Sequence, residues 1–405
     1  MQWYEMQPLS GVKVLDLTRI VSGPFATMLL GDLGAEIIKI EEPVSGDESR
    51  TYGPPFVNGE SAYFLSVNRN KKSCAINLKT PEGIALIQEL ALKSDVLIEN
   101  FRPGTLKKFG LSYEELKKQN PGLIYCAITG FGQTGPDSHR PGYDLIIQGE
   151  SGVMDITGNP DGPPTKVGTS IADLLTGQYA SQGVLAALVE RSRTGKGRRI
   201  EVAMYDCLAS LLTFNAGSYF ATGNTPKRKG NSHPSIVPYE TFETSDGWIN
   251  IGVANDKFWN AFCKIIDRLD LQNDPKFAMA SDRVKNRLEL LPVIREVIKG
   301  NKKSYWIRLL ENAGIPSGMI KNVGEVCDSE QLVSRGMVLK MPHPTAGIVK
   351  NIDSPLRFDD RNDEVHTAPP ILGQHTREIL SDILKISPDE IISLEEKGAI
   401  KCANV

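Results

Sequence analysis

Residues 11–41 read GVKVLDLTRIVSGPFATMLLGDLGAEIIKIE, and this stretch decides the fold class. The apolar run from Gly11 to Thr18 predicts a buried strand. Ser22-Gly23-Pro24 then predicts the start of a helix, because proline fits the first helical turn, and we expect this helix to end near Gly34. The residues from Ala35 to Glu41 predict a second strand. A strand, a helix and a strand within about thirty residues form the βαβ unit of parallel sheets.

The same alternation continues along the first half of the chain. The residues from Ser73 to Leu78 predict a strand, and Thr80-Pro81 predicts the cap of a helix that runs to Lys93. Two more strands are predicted from Asp95 to Glu99 and from Leu123 to Thr129. Alternating strands and helices are typical of a doubly wound α/β sheet. The first βα turn lacks the G-x-G-x-x-G pattern, so a dinucleotide site has little support.

The pattern changes after the first two hundred residues. The residues from Arg199 to Ala203 predict a strand, those from Met204 to Ala221 predict a helix, and a polar break from Thr222 to Gly230 follows. Tyr239 to Phe242 and Gly247 to Val253 then alternate on either side of a turn, as the strands of an antiparallel hairpin do. We therefore expect a second, smaller α+β domain to begin after the polar break.

Composition excludes several classes of function. The chain has 405 residues, which favours two domains over one small core. Its net charge of −3 argues against general binding of nucleic acid or of an anionic membrane. No apolar run approaches the ~18 residues of a membrane span.

Cysteine usage and the N-terminus predict a location. The six cysteines are far apart and show no C-x-x-C spacing, so we expect neither a disulfide framework nor a metal site. The stretch from Met1 to Pro8 lacks the pattern of a signal peptide. These features predict a cytoplasmic protein. The mitochondrial matrix, reached with a presequence that is later removed, stays open as the alternative.

Asp173 is the main candidate for chemistry. It follows a short apolar run that begins at Val167 and precedes a long one from Leu174 to Leu188, which predicts that a strand gives way to a helix here. We expect a carboxylate at a helix N-terminus to stay ionised, because free N–H groups and the helix dipole favour negative charge. Such a carboxylate can attack an activated acyl group. Taken alone, however, the segment favours a helix N-cap without chemistry.

Polar turns with glycines follow the predicted strands. Asn100 to Gly104 follows one strand, Thr129 to Gly135 follows another, and Arg140 to Asp144 comes soon after. In open α/β sheets, ligands bind at the carboxyl ends of the strands, and glycine lets the backbone approach a ligand closely. Nearby basic side chains are candidates for phosphate binding, with ordinary solvated charges as the alternative. These side chains are Lys71, Lys72, Arg102, Lys107 and Lys108.

A set of motifs then occurs in order along nearly the whole chain. The motifs are LSGVKVLDLT (9–18), SGP (22–24), GDLGAEIIKIE (31–41), SVNRNKKS (66–73), ENFRPG (99–104), GYD (142–144), IADLLTG (171–177), RTGKG (193–197) and PILGQHT (370–376). They resemble those of the class III (CaiB/BaiF) CoA-transferases, a family that includes formyl-CoA, carnitine and succinate–hydroxymethylglutarate CoA-transferases. The resemblance replaces the N-cap interpretation of Asp173.

The resemblance implies a fold. In this family the N- and C-terminal parts of a chain form one Rossmann-like domain, and the middle forms a small domain. Two such chains thread through each other as interlocked rings. The resemblance implies a large domain from residues 1–200, a linker at 201–225, a small α+β domain at 226–325 and a return to the large domain at 326–405. We expect a homodimer whose subunits separate only by unfolding.

The resemblance also implies roles for individual residues. Asp173 occupies the position of the nucleophile, which forms a mixed anhydride with the acyl group and then an aspartyl-CoA thioester. CoA is a substrate, and no permanently bound cofactor is expected. Glu42 stands where some relatives have a basic residue, so the contact to the adenine end of CoA is in doubt. The positions that contact CoA in the family are occupied by Val21, Ser22, Ile76, Asn77, Leu78, Lys79, Asn100, Phe101, Arg102, Lys108 and Tyr143.

The start of the small domain predicts the acceptor acid. The segment from Gly230 to Tyr239 resembles the branch of the family that uses dicarboxylates, and it lacks the glycine run of the oxalate branch. We therefore expect succinyl-CoA as the donor and a dicarboxylate such as glutarate as the acceptor. CoA transfer of the formyl-CoA/oxalate or the carnitine type is the alternative. The side chains considered for the second carboxylate are His233, Asn231 and the basic residues from Lys227 to Lys229.

Two other functions are weighed against CoA transfer. An α-methylacyl-CoA racemase of the same family needs a His–Asp pair to move a proton. The position of that histidine is occupied by Tyr143, and none of the five histidines of the chain falls there. A non-catalytic CoA-binding protein is the alternative from another class, and the presence of Asp173 argues against it. The five histidines are His139, His233, His343, His366 and His375.

Overall fold

The computed structural model describes residues 7–358 and 366–403. Most of the N-terminal stretch that was searched for a signal peptide therefore lies outside the described residues. Within the described residues, no helix is both long enough and apolar enough to cross a membrane. The chain divides into two compact units. One comprises Met1–Val153, Val167–Gly217 and Val333–Val405, and the other comprises Met154–Lys166 and Ser218–Leu332.

The secondary structure alternates through most of the first unit. The strands are β1 (Lys13–Leu17), β2 (Glu36–Glu41), β3 (Phe56–Val57), β4 (Glu60–Ser61), β5 (Lys71–Ile76), β6 (Val96–Glu99), β7 (Ile124–Thr129), β8 (Arg199–Ala203), β9 (Tyr239–Thr244), β10 (Gly247–Gly252), β11 (Ser317–Met319), β12 (Val338–His343), β13 (Gly347–Ile352) and β14 (Ile400–Lys401). The helices are α1 (Ser22–Asp32), α2 (Ala62–Ser66), α3 (Pro81–Leu92), α4 (Tyr113–Leu116), α5 (Asp144–Glu150), α6 (Val153–Ile156), α7 (Ile171–Thr194), α8 (Met204–Ser210), α9 (Thr213–Thr222), α10 (Asp256–Ile265), α11 (Leu269–Asn273), α12 (Ala280–Lys285), α13 (Arg287–Lys299), α14 (Lys303–Asn312), α15 (Val323–Cys327), α16 (Glu330–Ser334), α17 (Thr376–Asp382) and α18 (Pro388–Glu396).

The first unit is built on a mostly parallel sheet, which confirms the predicted α/β class. Its strand order is β14-β5-β2-β1-β6-β7-β8. Every pair of neighbours in this sheet is parallel except β14 and β5, which are antiparallel. From β1 the chain first builds towards β2 and β5, and later towards β6, β7 and β8. The order therefore reverses between β1 and β6, and this is where open α/β sheets bind ligands.

Helices cover both faces of this sheet. Because successive side chains of a strand point to opposite faces, Val14 and Leu15 of β1 enter different cores. Val14 packs in a cluster that includes residues of α1 and α7. Leu15 packs in a cluster that includes residues of α3, α17 and α18. Both side chains are fully buried, and each such burial contributes about 1.5–3 kcal/mol.

The second unit contains a small antiparallel sheet of strand order β11-β10-β9. In β9 and β10, Phe242 and Ile249 face each other and pack with residues of α10, α13 and α14 in a separate core. Residues 154–166 also belong to this unit, although the family resemblance implies that they lie in the large domain. The reason is a set of contacts that the local sequence does not show. Gly230 N–H donates to Gly158 C=O at 3.0 Å, and Arg228 Nη1 donates to Asp155 C=O at 2.9 Å.

Two local predictions differ from the structure. The predicted helix from Met204 to Ala221 is two helices, α8 and α9, because the chain turns at Leu211 and Leu212 and Thr213 has a φ of 28°. The apolar run that begins at Val167 was predicted to be strand-like, but it is an irregular segment before α7. The spacing of Ser112 and Glu115 is typical of a capping box, and one is present at the start of α4.

Candidate active site

The loops that follow β1 and β6 are joined at the carboxyl edge of the sheet. Arg19 N–H donates to Asn100 Oδ1 at 2.9 Å, and Asn100 Nδ2 donates to Arg19 C=O at 2.8 Å. The carboxamide of Asn100 thus binds both the N–H and the C=O of Arg19, as the backbone of a neighbouring strand would. The Arg19 guanidinium also lies 4.8 Å from the centre of the Phe101 ring. These contacts bring the predicted CoA residues Val21 and Ser22 close to Asn100 and Phe101.

A close helix contact brings Asp173 to the same loops. A Cβ atom at Gly177 of α7 would lie 2.6 Å from Ser22 C=O and 2.9 Å from the Phe25 ring, so glycine is required for this approach. Asp173 precedes Gly177 by four residues, and residues four apart share one face of a helix. Asp173 therefore lies on the side of α7 that faces the start of α1.

Asp173 is the third residue of α7, not its N-cap. Ser170 is the N-cap, and its side chain makes no capping hydrogen bond. A free N–H group of the first turn is instead bound by Asp144, whose Oδ1 accepts from Ala172 N–H at 2.9 Å. Asp144 is in turn the first residue of α5, and its Oδ2 accepts from Gln148 Nε2 at 2.8 Å. Asp144 thus holds the helix that carries Asp173.

The helix terminus does not keep the pKa of Asp173 low, contrary to the expectation from the sequence. Burial raises the pKa of Asp173 to about 7, and the negative charge of Asp144 adds to the effect. Among the described residues, no cation offsets these two causes. The competing principle is desolvation, which disfavours the charged form of a carboxyl group more than the helix N-terminus favours it here. The result is a carboxylate without an ionic partner at the ligand-binding edge of the sheet.

Two tyrosines were not found from the sequence, Tyr63 beside Asp173 and Tyr52 beside Tyr63. Tyr63 forms a side-chain hydrogen bond with Ser170, and burial together with the charge of Asp173 raises the pKa of its phenol. Burial and the charge of Glu48 likewise raise the pKa of Tyr52, whose ring meets that of Tyr63 edge-on at 5.4 Å. Both phenols therefore stay protonated and can donate a hydrogen bond. No periodicity or turn pattern marks these residues, because Tyr63 approaches Asp173, and Tyr52 approaches Tyr63, only in the folded chain.

The other predicted CoA residues differ in what they expose. Ile76 is buried in the core at the end of β5 and pairs with Ile400 of β14, so neither its side chain nor its backbone is exposed. Asn77 N–H donates to Ala399 C=O at 2.8 Å, and its Oδ1 accepts from Lys79 N–H at 3.0 Å. Leu78 packs against the same core. The structure thus places this segment two strands away from β1, next to β2 and β14.

The basic and polar candidates are more exposed. Arg102 and Lys108 lie on the exposed turn after β6, and Tyr143, the residue before α5, is 62% exposed. The Glu42 carboxylate binds the N–H groups of Val44 and Ser45 of its own loop. Glu42 thus has local partners where some relatives have a basic residue.

The residues considered for the acceptor acid lie in the second unit. Asn231 lines a cavity of about 420 Å³ together with Thr241, Asn250 and Ser317. His233 Nδ1 accepts from Ser235 N–H at 3.1 Å, and its ring packs 5.3 Å from that of Tyr239. Of the basic residues from Lys227 to Lys229, Arg228 forms an ion pair with Asp155 at 3.1 Å, while Lys227 and Lys229 are exposed.

Known proteins are similar to this chain in sequence and in fold. The sequence model of CoA-transferase family III matches residues 9–376. The chain is 45% identical to the succinyl-CoA:glutarate CoA-transferase of Mus musculus over 396 residues, which cover 98% of this chain and 91% of the relative. It is 43% identical to the acetyl-CoA:oxalate CoA-transferase of Acetobacter aceti over 334 residues, which cover 82% and 86%.

A solved structure gives the same result for the fold. The crystal structure of a CaiB/BaiF family protein from Brucella suis superposes with a TM-score of 0.85 at 41% identity, covering 93% of this chain and all of that chain. The resemblance of the motifs is thereby confirmed over nearly the whole sequence. The protein is an enzyme of the transferase class, and the chain belongs to CoA-transferase family III.

Proposed function

We propose that this enzyme moves CoA from succinyl-CoA to a dicarboxylic acid of about four to six carbons, such as glutarate, through covalent intermediates on Asp173. The observation that carries the proposal is the Asp173 carboxylate, which is desolvated, has no cationic partner among the described residues and lies beside the loop with Val21 and Ser22. The Mus musculus relative, named for succinyl-CoA and glutarate, supports the choice of donor and acceptor.

The first half of the reaction transfers CoA to the enzyme. An Asp173 oxygen attacks the thioester carbonyl of succinyl-CoA, the C–S bond breaks, and CoA leaves as the thiolate. The product is a mixed anhydride between succinate and Asp173. The thiolate then attacks the Asp173 carbonyl of this anhydride, and succinate leaves with the electron pair of the broken C–O bond. Asp173 now holds CoA as a thioester.

The second half reverses these steps with the acceptor. A carboxylate of the acceptor attacks the Asp173 thioester and again releases the CoA thiolate, which leaves an anhydride between acceptor and enzyme. The thiolate attacks the acceptor carbonyl of this anhydride, so the acceptor leaves as its CoA ester and Asp173 regains its carboxylate. No proton has to be moved at any step. The route therefore needs no general base, only an ionised Asp173.

The surrounding residues supply positioning and hydrogen bonds. Asp144 holds the first turn of α7 and raises the basicity of Asp173. Tyr63 keeps its phenol proton beside Asp173, and we propose that it donates to the oxygens that gain charge during attack, with Tyr52 packed against its ring. Exposed Arg102 and Lys108 are proposed to bind the phosphates of CoA, because their charges are free for a ligand on the turn that follows β6.

We infer the chemical class of the acceptor from the hydrogen-bond partners that a second carboxylate needs in the site. A site built for a dicarboxylate leaves a polar group without a partner when a monocarboxylate binds, which costs affinity. We propose that Asn231 and His233 serve this role, because the segment from Gly230 to Tyr239 resembles the branch of the family that uses dicarboxylates. The relative named for oxalate makes oxalate the competing acceptor to test.

The test is a panel of acceptors with succinyl-CoA as the donor, read by mass spectrometry of the CoA esters. We expect the highest kcat/KM for glutarate among glutarate, oxalate, carnitine and butyrate. If oxalate or a monocarboxylate is preferred tenfold, the proposed substrate class is wrong. Incubation of the enzyme with succinyl-CoA alone should label Asp173, and hydroxylamine should remove the label. A label on a cysteine would contradict the proposed nucleophile.

We also propose the interlocked homodimer that the family resemblance implies. Helix α9 buries none of its residues within the chain, and Phe214 and Phe220 are 70% and 81% exposed. Aromatic side chains on one exposed helix are typical of a surface that a partner covers. Sedimentation at nanomolar concentration should show a dimer with slow subunit exchange. A stable folded monomer would remove this part of the proposal.

A further inference from the structure

Ile20 has a backbone conformation that its side chain disfavours. Its φ is 71°, in the left-handed region, where a β-branched residue clashes with its own backbone. Such strain persists only where the surrounding structure holds it, and it is often found at functional sites. Ile20 directly precedes Val21 and Ser22, the predicted CoA residues at the start of α1.

A buried carboxylate holds this conformation. Asp47 accepts the Ile20 N–H through both oxygens, at 3.1 and 3.3 Å. The same carboxylate accepts from Lys39 Nζ at 2.8 Å, and both of these side chains are fully buried. Lys39 Nζ also donates to Thr18 C=O at 2.9 Å. One ion pair thus binds the turn before α1 at two backbone atoms.

The rest of the turn is held from its other sides. The Asn100 carboxamide binds both backbone groups of Arg19, and Lys71 Nζ donates to Pro24 C=O at 2.8 Å. Asp47 is the contact that acts on Ile20 itself. Loss of Asp47 would therefore release the strained residue while its neighbours stay bound.

We propose that Asp47, supported by Lys39, is a positioning residue for acyl-CoA recognition. Its carboxylate keeps Ile20 left-handed and so fixes Val21 and Ser22 in the geometry that receives CoA. The inference rests on the proposed function, because it assumes that CoA binds at this turn. Asp47 does not touch the reacting atoms, so it should affect KM for acyl-CoA and not the chemical steps.

The test replaces the ion pair with apolar residues of similar size. The double variant Lys39→Met/Asp47→Leu removes both charges together, so that no unpaired charge is left buried, and such replacements often keep the fold. We expect KM for succinyl-CoA and Kd for CoA to rise about tenfold, the factor by which the left-handed conformation of Ile20 is disfavoured once unsupported. We expect kcat to change by less than about threefold.

Ile20→Gly in the double variant separates positioning from general damage. Glycine adopts the left-handed conformation without support, so the third change should recover most of the lost affinity for CoA. A merely structural role of the pair would not be rescued by a glycine. The matched control is Arg69→Met/Asp32→Leu, which replaces another buried pair of the same unit that does not contact the turn. This control should lower stability but leave KM for succinyl-CoA unchanged.

Each outcome decides between the alternatives. The inference is overturned if KM and Kd stay within twofold, if kcat falls while KM is unchanged, or if Ile20→Gly brings no recovery. Should the double variant fail to fold, Asp47→Asn with and without Ile20→Gly gives the same comparison with a smaller expected effect. Direct CoA binding is measured beside turnover. A wild-type enzyme that binds CoA but transfers none would refute the proposed function, and the binding data would still test the role of Asp47.

Discussion

Asp47 and Asp173 are carboxylates of the same unit, near the same edge of one sheet, in opposite electrostatic states. Burial disfavours the charged form of both. At Asp47 the Lys39 ammonium and the N–H and hydroxyl groups of Ser49 outweigh burial and hold the pKa well below its usual range. At Asp173 no cation among the described residues offsets burial, the Asp144 carboxylate adds to it, and the pKa rises to about 7. The carboxylate that we propose to react is thus the one whose charge the fold leaves uncompensated.

Removal of the uncompensated carboxylate should have the largest effect. Asp173→Ala should lower kcat by about four orders of magnitude or more, because the covalent route is lost while the binding contacts remain. Kd for CoA and the circular dichroism spectrum should match those of the wild type. The control is Asp389→Ala, which removes an exposed acid from the first turn of α18. Turnover above a tenth of the wild-type value would exclude Asp173 as the nucleophile.

Loss of Lys39 from its ion pair with Asp47 should instead lower the stability of the fold. Lys39→Met leaves Asp47 charged and unpaired in the interior, and we expect the free energy of unfolding to fall by about 3–5 kcal/mol. Chemical unfolding followed by circular dichroism measures the change. The matched control is Lys299→Met, since its partner Glu243 is half exposed and the loss should stay below about 1 kcal/mol. Equal losses for the two variants would show that the pair of Lys39 and Asp47 is not effectively buried.

The pH dependence should report on Asp144. In the proposed mechanism only ionised Asp173 attacks, so kcat/KM for succinyl-CoA should rise with pH and level off above about 7 in the wild type. Asp144→Asn removes the negative neighbour but keeps an oxygen for the Ala172 N–H. This variant should shift the rise to lower pH, because ionisation of Asp173 becomes easier. Asp206→Asn, an exposed acid of α8, is the control. An unchanged pH profile in Asp144→Asn would contradict the electrostatic role of Asp144.

The smallest predicted effect is on thermal stability, which the buried charge of Asp173 lowers at high pH. Its folded pKa lies above the unfolded one, so its contribution to stability is present below pH 3.8 and is lost as pH rises through about 7. Asp173→Asn should therefore raise Tm by about 1–3 °C at pH 8 and leave it nearly unchanged at pH 4. Thermal unfolding at the two pH values measures this difference. If Asp173→Asn raised Tm at pH 4 but not at pH 8, the inferred direction of the pH effect on stability would be contradicted.

The features that the sequence predicted depend on residues close together in the chain, whereas the features that it did not predict depend on residues far apart. The strands β1 and β2, the helix between them and the capping box at Ser112 depend on neighbouring residues, and patterns of neighbouring residues predict them. Asp173 was found through its motif. Its raised pKa was missed, because Asp144 approaches it only through the packing of α5 and α7. The contact of Asp47 with Ile20 and the place of residues 154–166 were missed for the same reason.

The antiparallel strand β14 has a consequence for the order of events during synthesis. It pairs with β5, and Gly398 C=O accepts from the Asn77 side chain across a separation of 321 residues. The edge of the sheet next to Asn77 therefore stays open until residues near 400 have left the ribosome. Contacts of such long range are slow to form, since the intervening chain must first be brought together. A nascent chain should thus carry an unfinished large unit until the residues around Gly398 have emerged, 321 residues after Asn77.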